Sequence, residues 1–154
     1  MGSFSILQKN YISKGPDETM EIGFRLGSLL RPGDIVGLYG ELGAGKTTMV
    51  KGIARALGIN EREIVSASFT IITEYDSYPP FTHIDLYRIE RSNELDELGL
   101  WDHLGGEHIS VIEWAEKAEG VLPEDTVMVK IKSVDEETRE ITIEGLHEKD
   151  RDNL

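Results

Sequence analysis

The chain contains no cysteine. Disulfides, thiolate nucleophiles and cysteine-based zinc sites are therefore excluded. Cations are scarce as well: 16 Lys and Arg stand against 29 Asp and Glu, a formal charge of -13. Phosphate contacts need clustered cations, so neither nucleic acid nor an anionic membrane is bound by a general electrostatic field. Any dealing with RNA or DNA is expected to go through a partner. No apolar run approaches the roughly 18 residues of a membrane span. The segment Met1-Gly2-Ser3-Phe4-Ser5-Ile6 has no long apolar core of a signal peptide, and Ile6 stands where myristoylation wants Ser or Thr. The expectation is a cytoplasmic protein without a membrane partner.

What is present is the composition of a globular protein: 154 residues, 39% hydrophobic and 29% charged. That length suits one core, so residues 1–154 read as a single domain, with a charged, frayed tail from about 147 to 154. No internal repeat is visible. Phe4 to Ile12 reads as a first strand. After Pro16, the apolar stripe Ile22, Leu26, Leu29 and Leu30 predicts a helix, which Arg31-Pro32-Gly33-Asp34 ends. Ile35 to Tyr39 is a short buried strand, and a helix with Val50, Ile53, Ala54 and Leu57 on one face follows, closed by Gly58. Ile71 to Tyr78 and Thr82 to Tyr87 are two strands around Pro79-Pro80, the second with His83, Asp85 and Tyr87 on its polar face. Glu94 to Leu104 is a predicted helix, and Ile109 to Ile112 another buried strand. Thr126 to Lys132 and Arg139 to Glu144 alternate as a closing hairpin. This order predicts an α/β fold of the P-loop NTPase type, three layers with a mixed central sheet and helices on both faces.

The strongest chemical signal is Gly40-Glu41-Leu42-Gly43-Ala44-Gly45-Lys46-Thr47-Thr48. It satisfies G-x-x-x-x-G-K-[ST] between a strand and a helix, the context a P-loop requires. Glycines let successive N–H groups turn inward on phosphate oxygens, and the helix N-terminus adds partial positive charge. Lys46 would then reach the β- and γ-phosphates, and the Thr47 hydroxyl would ligate Mg²⁺. A second acid belongs at the end of another buried strand, where Glu113 follows Ile109-Ser110-Val111-Ile112. Asp85 is its rival, as an orienter of water or a base. For His83, a hydrogen-bonded core histidine is at least an equal reading, and Arg88 is a candidate transition-state cation, although a surface ion pair is the commoner fate of an Arg. Ser66, Ser68, Phe69 and Thr70 form a hydroxyl-rich loop that reads as a γ-phosphate sensor or as an ordinary turn. Trp114 is a core or interface aromatic. Asp96-Glu97-Leu98-Gly99 matches the D-x-x-G of GTPases but falls within a predicted helix, and no N-K-x-D guanine-reading motif exists. Adenine nucleotide is favoured, with ATP and Mg²⁺ as the expected ligands.

Three runs together, G-E-L-G-A-G-K-T-T at 40–48, H-I-D-L-Y-R at 83–88 and V-I-E-W-A-E at 111–116, resemble the TsaE (YjeE) family. These are small bacterial ATPases required for threonylcarbamoyladenosine on the tRNA base next to the anticodon. The resemblance implies that Lys46 binds phosphate, that Thr47 and Glu113 are Mg²⁺ ligands, and that Asp85 and Trp114 serve activity and partner contact. It also implies that the Asp17-Glu18 segment and Arg139 lie near the nucleotide. Its implied partner is the TsaD–TsaB transferase pair, with tRNA met only indirectly. One departure is visible: the family's S-P-T-[FY]-T is here Ser66-Ala67-Ser68-Phe69-Thr70. Losing that proline frees a backbone angle while Ser68 keeps the hydroxyl. The residues also admit a small-molecule kinase with Asp85 as base, or a module in which nucleotide only holds a shape for a partner.

Overall fold

In the computed structural model, residues 8–41, 43–64, 72–146 and 154 are described below. Seven strands form one mixed sheet in the order β1-β7-β6-β2-β5-β4-β3. They are β1 (Gln8–Ser13), β2 (Ile35–Tyr39), β3 (Ile72–Tyr75), β4 (Phe81–Asp85), β5 (Ile109–Glu113), β6 (Val127–Ser133) and β7 (Arg139–Glu144). The central strands β6, β2, β5 and β4 run parallel, whereas β1, β7 and β3 are antiparallel additions at the two ends. The α/β architecture with a mixed sheet is thus the one the sequence predicts.

The faces follow from side-chain alternation. Val36 and Leu38 of β2, Ile109 and Val111 of β5, Phe81 of β4, and Val129, Ile131, Ile141 and Ile143 of the hairpin all point into one core. Helices α1 (Pro16–Leu29) and α2 (Lys46–Ala56) cover it. On the opposite face, Ile35, Ile84 and Ile112 pack with Leu86, Leu95, Leu100, Ala115 and Ala118. That layer is thin, built from the short helix α3 (Asn93–Glu97) and two 3₁₀ turns at Leu100–His103 and Ala115–Ala118. β2, β4 and β5 are buried almost throughout because both of their faces are covered, while β6 and β7 alternate because only one is.

Helices α1 and α2 approach closely because glycines line their contact. A Cβ on Gly27 would lie 2.8 Å from the Ile53 carbonyl oxygen, and one on Gly52 would lie 2.9 Å from the Phe24 nitrogen. The two helices therefore meet backbone to backbone.

Several boundaries differ from the sequence reading. The helix expected from Glu94 to Leu104 is instead α3 followed by a 3₁₀ turn, because Gly99 takes a left-handed conformation (φ 67°) and breaks the α ladder. Asp96-Glu97-Leu98-Gly99 accordingly spans the end of α3 and the turn after it, still not the end of a strand. β3 stops at Tyr75, three residues short, and Tyr87 lies beyond the end of β4, so only His83 and Asp85 share its polar face. The strand expected from Phe4 begins at Gln8 within the described residues. Of the expected tail, residues 147–153 lie outside the described residues, and Leu154 packs against the first core.

Candidate functional site

The parallel strands β2, β4 and β5 all end at the same edge of the sheet, and each delivers polar residues there. From β2 the chain enters the loop of residues 40–45 and then α2. Two glycines in that loop are required by geometry. Gly45, the N-cap of α2, has φ 105°, and a Cβ on Gly40 would sit 2.6 Å from the Ile131 carbonyl oxygen. α2 has no side-chain cap at its start, so its first-turn N–H groups face outward for an external acceptor. Gly40, Glu41, Gly43, Ala44 and Gly45 are thus in one turn of backbone beside Lys46, Thr47 and Thr48. Leu42 lies outside the described residues.

Lys46 is buried, and its Nζ donates to the carbonyl oxygens of Gly40 and Glu41, the latter at 2.9 Å. The same ammonium sits 3.9 Å from the centroid of the Trp114 ring. Burial pulls the Lys46 pKa below its ordinary value, outweighing the carboxylates of Glu116, Glu113, Asp85 and Glu41, which pull it up. Trp114 directly follows β5 and adopts φ 59°, a left-handed conformation uncommon for a bulky residue. That turn aims its ring across the loop, where it also packs on Tyr87, with ring centres 5.2 Å apart.

At the end of β5, Glu113 is buried between two partners. Thr47 Oγ1 donates to Glu113 Oε1 at 2.9 Å, and His83 Nε2 lies 2.6 Å from Glu113 Oε2. Asp85 stands directly opposite Glu113 in the β4–β5 register. Its Oδ1 accepts the Tyr87 backbone N–H at 2.9 Å, and burial lifts its pKa above the ordinary carboxylate range, with the Glu113 charge adding to the rise. Lys46, Thr47, Asp85, Glu113 and Trp114 therefore converge on one spot. Among the described residues no cluster of three or more His, Asp or Glu side chains forms a ready metal cage. The pair Thr47 and Glu113 instead suits Mg²⁺, which keeps several waters and takes one or two protein ligands beside substrate phosphates.

On the other flank, a cleft of about 340 Å³ opens between the loop, the start of α1 and the β6–β7 turn, lined in part by Pro16, Thr19, Gly45, Thr48 and Arg139. Arg139 closes this side: its Nε donates to the Ala44 carbonyl at 3.0 Å, and its Nη1 donates to the carbonyl of Asp135 at 2.8 Å. Asp17 is exposed on the first turn of α1 and does not line the cleft, although its neighbour Pro16 does. Thr19 lines it too, held by a 2.7 Å hydrogen bond to Ser13. Arg88 is exposed two residues past Leu86. Ser66, Ser68, Phe69 and Thr70 lie outside the described residues.

Two contacts went unsingled by sequence reasoning. Glu116 Oε2 accepts the Gly40 N–H at 3.1 Å, tying the loop to the turn after β5. Its signal is its place in the run at 111–116. Thr19 carries no signal, because an isolated Thr in a helix matches no pattern.

Residues 13–141 match the family described as threonylcarbamoyl adenosine biosynthesis protein TsaE. The chain belongs to the TsaE family. It is 40% identical over 136 residues to the tRNA threonylcarbamoyladenosine biosynthesis protein TsaE of Bacillus subtilis, covering 88% of this chain and 84% of the relative. The Treponema pallidum protein of the same description is 37% identical over 132 residues, covering 86% and 97%. The crystal structure of Bacillus subtilis YdiB superposes with a TM-score of 0.74 at 34% identity, covering 98% of this chain and 94% of that one. The matched TsaE region begins at Ser13, the residue that hydrogen-bonds Thr19, and runs through Glu113 and Arg139. No helix among the described residues is long and apolar enough to cross a membrane.

Proposed function

We propose that this protein binds ATP with Mg²⁺ and hydrolyses it to drive the TsaD–TsaB pair in threonylcarbamoyl modification of tRNA. The observation that carries this reading is the convergence of an uncapped helix N-terminus, Lys46, and the hydrogen-bonded pair Thr47–Glu113 at one edge of the sheet. The outward N–H groups of α2 and the Lys46 ammonium bind phosphate oxygens. Thr47 and Glu113 hold Mg²⁺, which when bound neutralises charge on the β- and γ-phosphates. The buried Asp85 orients a water or a neighbouring donor at the strand end, and the aromatic pair Trp114–Tyr87 offers a face to the partner. The cleft beside Arg139 takes the nucleoside. The same reading places the protein in the cytoplasm, with tRNA reached only through TsaD–TsaB.

An arginine supplied in trans raises phosphoryl-transfer rates by about 10³–10⁵-fold, and in this chain Arg139 is already engaged with loop and turn carbonyls. Turnover is therefore slow alone and faster with the partner. The test is phosphate release from Mg-ATP by the protein alone and with a purified TsaD–TsaB pair. Stimulation that disappears in Lys46→Ala and Glu113→Ala supports the proposal. An unchanged rate on adding the pair overturns the partner role, and phosphorylation of an added alcohol in place of water favours a kinase.

A further inference from the structure

Glu113 is held from two sides, and only one of its partners belongs to the P-loop. Thr47, at the start of α2, donates to Oε1 at 2.9 Å. The second partner is His83, one alternation before Asp85 on β4, buried at 2% exposure, with Nε2 at 2.6 Å from Oε2. In the parallel register His83 pairs with Val111 and Asp85 with Glu113. The imidazole thus reaches Glu113 diagonally, while the residue directly opposite is another carboxylate. A glutamate anchored by one hydrogen bond can still swing about it, and fixing a long side chain costs up to about 2 kcal/mol of rotamer freedom. A second bond from a different strand fixes the plane of the carboxylate. An N–H···O bond to an ionised carboxylate is short and strong, and a buried carboxylate without one is costly. Thr47, for its part, spends its one hydroxyl proton on Glu113, so both lone pairs of its oxygen remain for a cation.

We propose that His83 is a positioning residue: it donates from Nε2 to Glu113 Oε2 and so fixes Oε1 and the Thr47 hydroxyl as a preset pair for Mg²⁺. This rests on the reading of Thr47 and Glu113 as the Mg²⁺ site. A histidine serving the core alone would stabilise the fold and leave metal affinity untouched. Outer partners of metal ligands are worth about 10–100-fold in metal affinity.

The test titrates Mg²⁺ into the full chain with a fluorescent ATP analogue and repeats the binding in EDTA. His83→Phe keeps a planar ring and removes the donor, whereas His83→Gln puts an amide N–H near the position of Nε2. The expected result is a Mg²⁺ midpoint raised about 10–100-fold in His83→Phe, unchanged affinity in EDTA, and recovery in His83→Gln. An unmoved midpoint in His83→Phe overturns the inference, as does equal loss in both variants together with lost binding in EDTA. Should His83→Phe fail to fold, His83→Asn, whose amide is too short to reach Glu113, takes its place. Equal midpoints for Asn and Gln then overturn the inference. Wild-type binding that ignores Mg²⁺ overturns the metal site and the role of His83 together. A Mg²⁺-dependent wild type with unmoved variants overturns the role of His83 alone.

Discussion

Burial sets the charge preferences at the centre of the site, and it does so against the charged forms. Asp85 has its pKa raised chiefly because it is out of water. The folded state therefore favours the protonated form, and the ionised carboxylate costs stability. That cost builds as pH rises from the ordinary value of 3.8 towards the raised folded value, and it is full above the latter. Asp85→Asn retains an oxygen to accept the Tyr87 N–H and removes the charge. Thermal denaturation is expected to show a higher Tm for Asp85→Asn at pH 7, with the gain vanishing as pH falls below 3.8. The same variant is expected to lose phosphate release. A lower Tm at pH 7 would mean that the charge of Asp85 is compensated in the fold. Lys46 shows the mirror image, a buried cation held below its ordinary pKa and supported by two carbonyls and the Trp114 ring. Residue types in the motif runs were legible in the sequence. Which atoms meet was not: a hydrogen-bonded core histidine was legible at His83, but not that its partner is Glu113.

Helix α2 carries Lys46 and Thr47 at one end and is seated on α1 by glycines further along. In isolation, Gly52→Ala should stabilise a helix by roughly 0.5–1 kcal/mol through backbone entropy. Here the new methyl would lie 2.9 Å from the Phe24 nitrogen and 3.0 Å from the Gly23 Cα, backbone atoms that no rotamer change can move. Overpacking of this kind costs about 1–3 kcal/mol, so the steric effect wins. Gly52→Ala is expected to lower Tm by about 2–4 °C per kcal/mol lost, with weaker nucleotide binding as α2 shifts. An unchanged or higher Tm would show that the helices can part freely. Sequence periodicity placed both helices and the strands of the core, because burial of one face imposes that pattern. It missed the break of the predicted 94–104 helix at Gly99, since a glycine inside a helical pattern reads as tolerated until its φ of 67° is known.

Charge acts on the molecule as a whole. With a formal charge of -13, the protein repels a polyanion at long range. Bare tRNA is therefore expected to bind more weakly than the roughly 10⁻⁴–10⁻⁶ M of ordinary non-specific nucleic-acid binders at physiological salt. A filter-binding or fluorescence titration with the isolated protein checks this, and a dissociation constant below about 10⁻⁶ M would contradict an indirect encounter through TsaD–TsaB. The sheet topology acts at the same scale. Placing β2 between β5 and β6, with β4 outside β5, puts the carboxyl ends of the parallel strands in one row. Open α/β sheets bind ligands at that edge.

The amino-acid sequence alone determined the strand–loop–helix at 35–56, because its signals are local: an apolar run, glycines where the backbone must turn, and a helical stripe. The three runs that mark the family are likewise short and contiguous. Tertiary structure decided what those pieces do together. Thr47 meets Glu113 across 66 positions, His83 meets Glu113 across 30, and Arg139 meets Ala44 across 95. Such contacts depend on strand order and on a parallel register, and a one-residue slip would turn His83, Asp85 and Glu113 to the other face of the sheet. Periodicity along a chain specifies which face a residue occupies, and only the paired sheet specifies its neighbours.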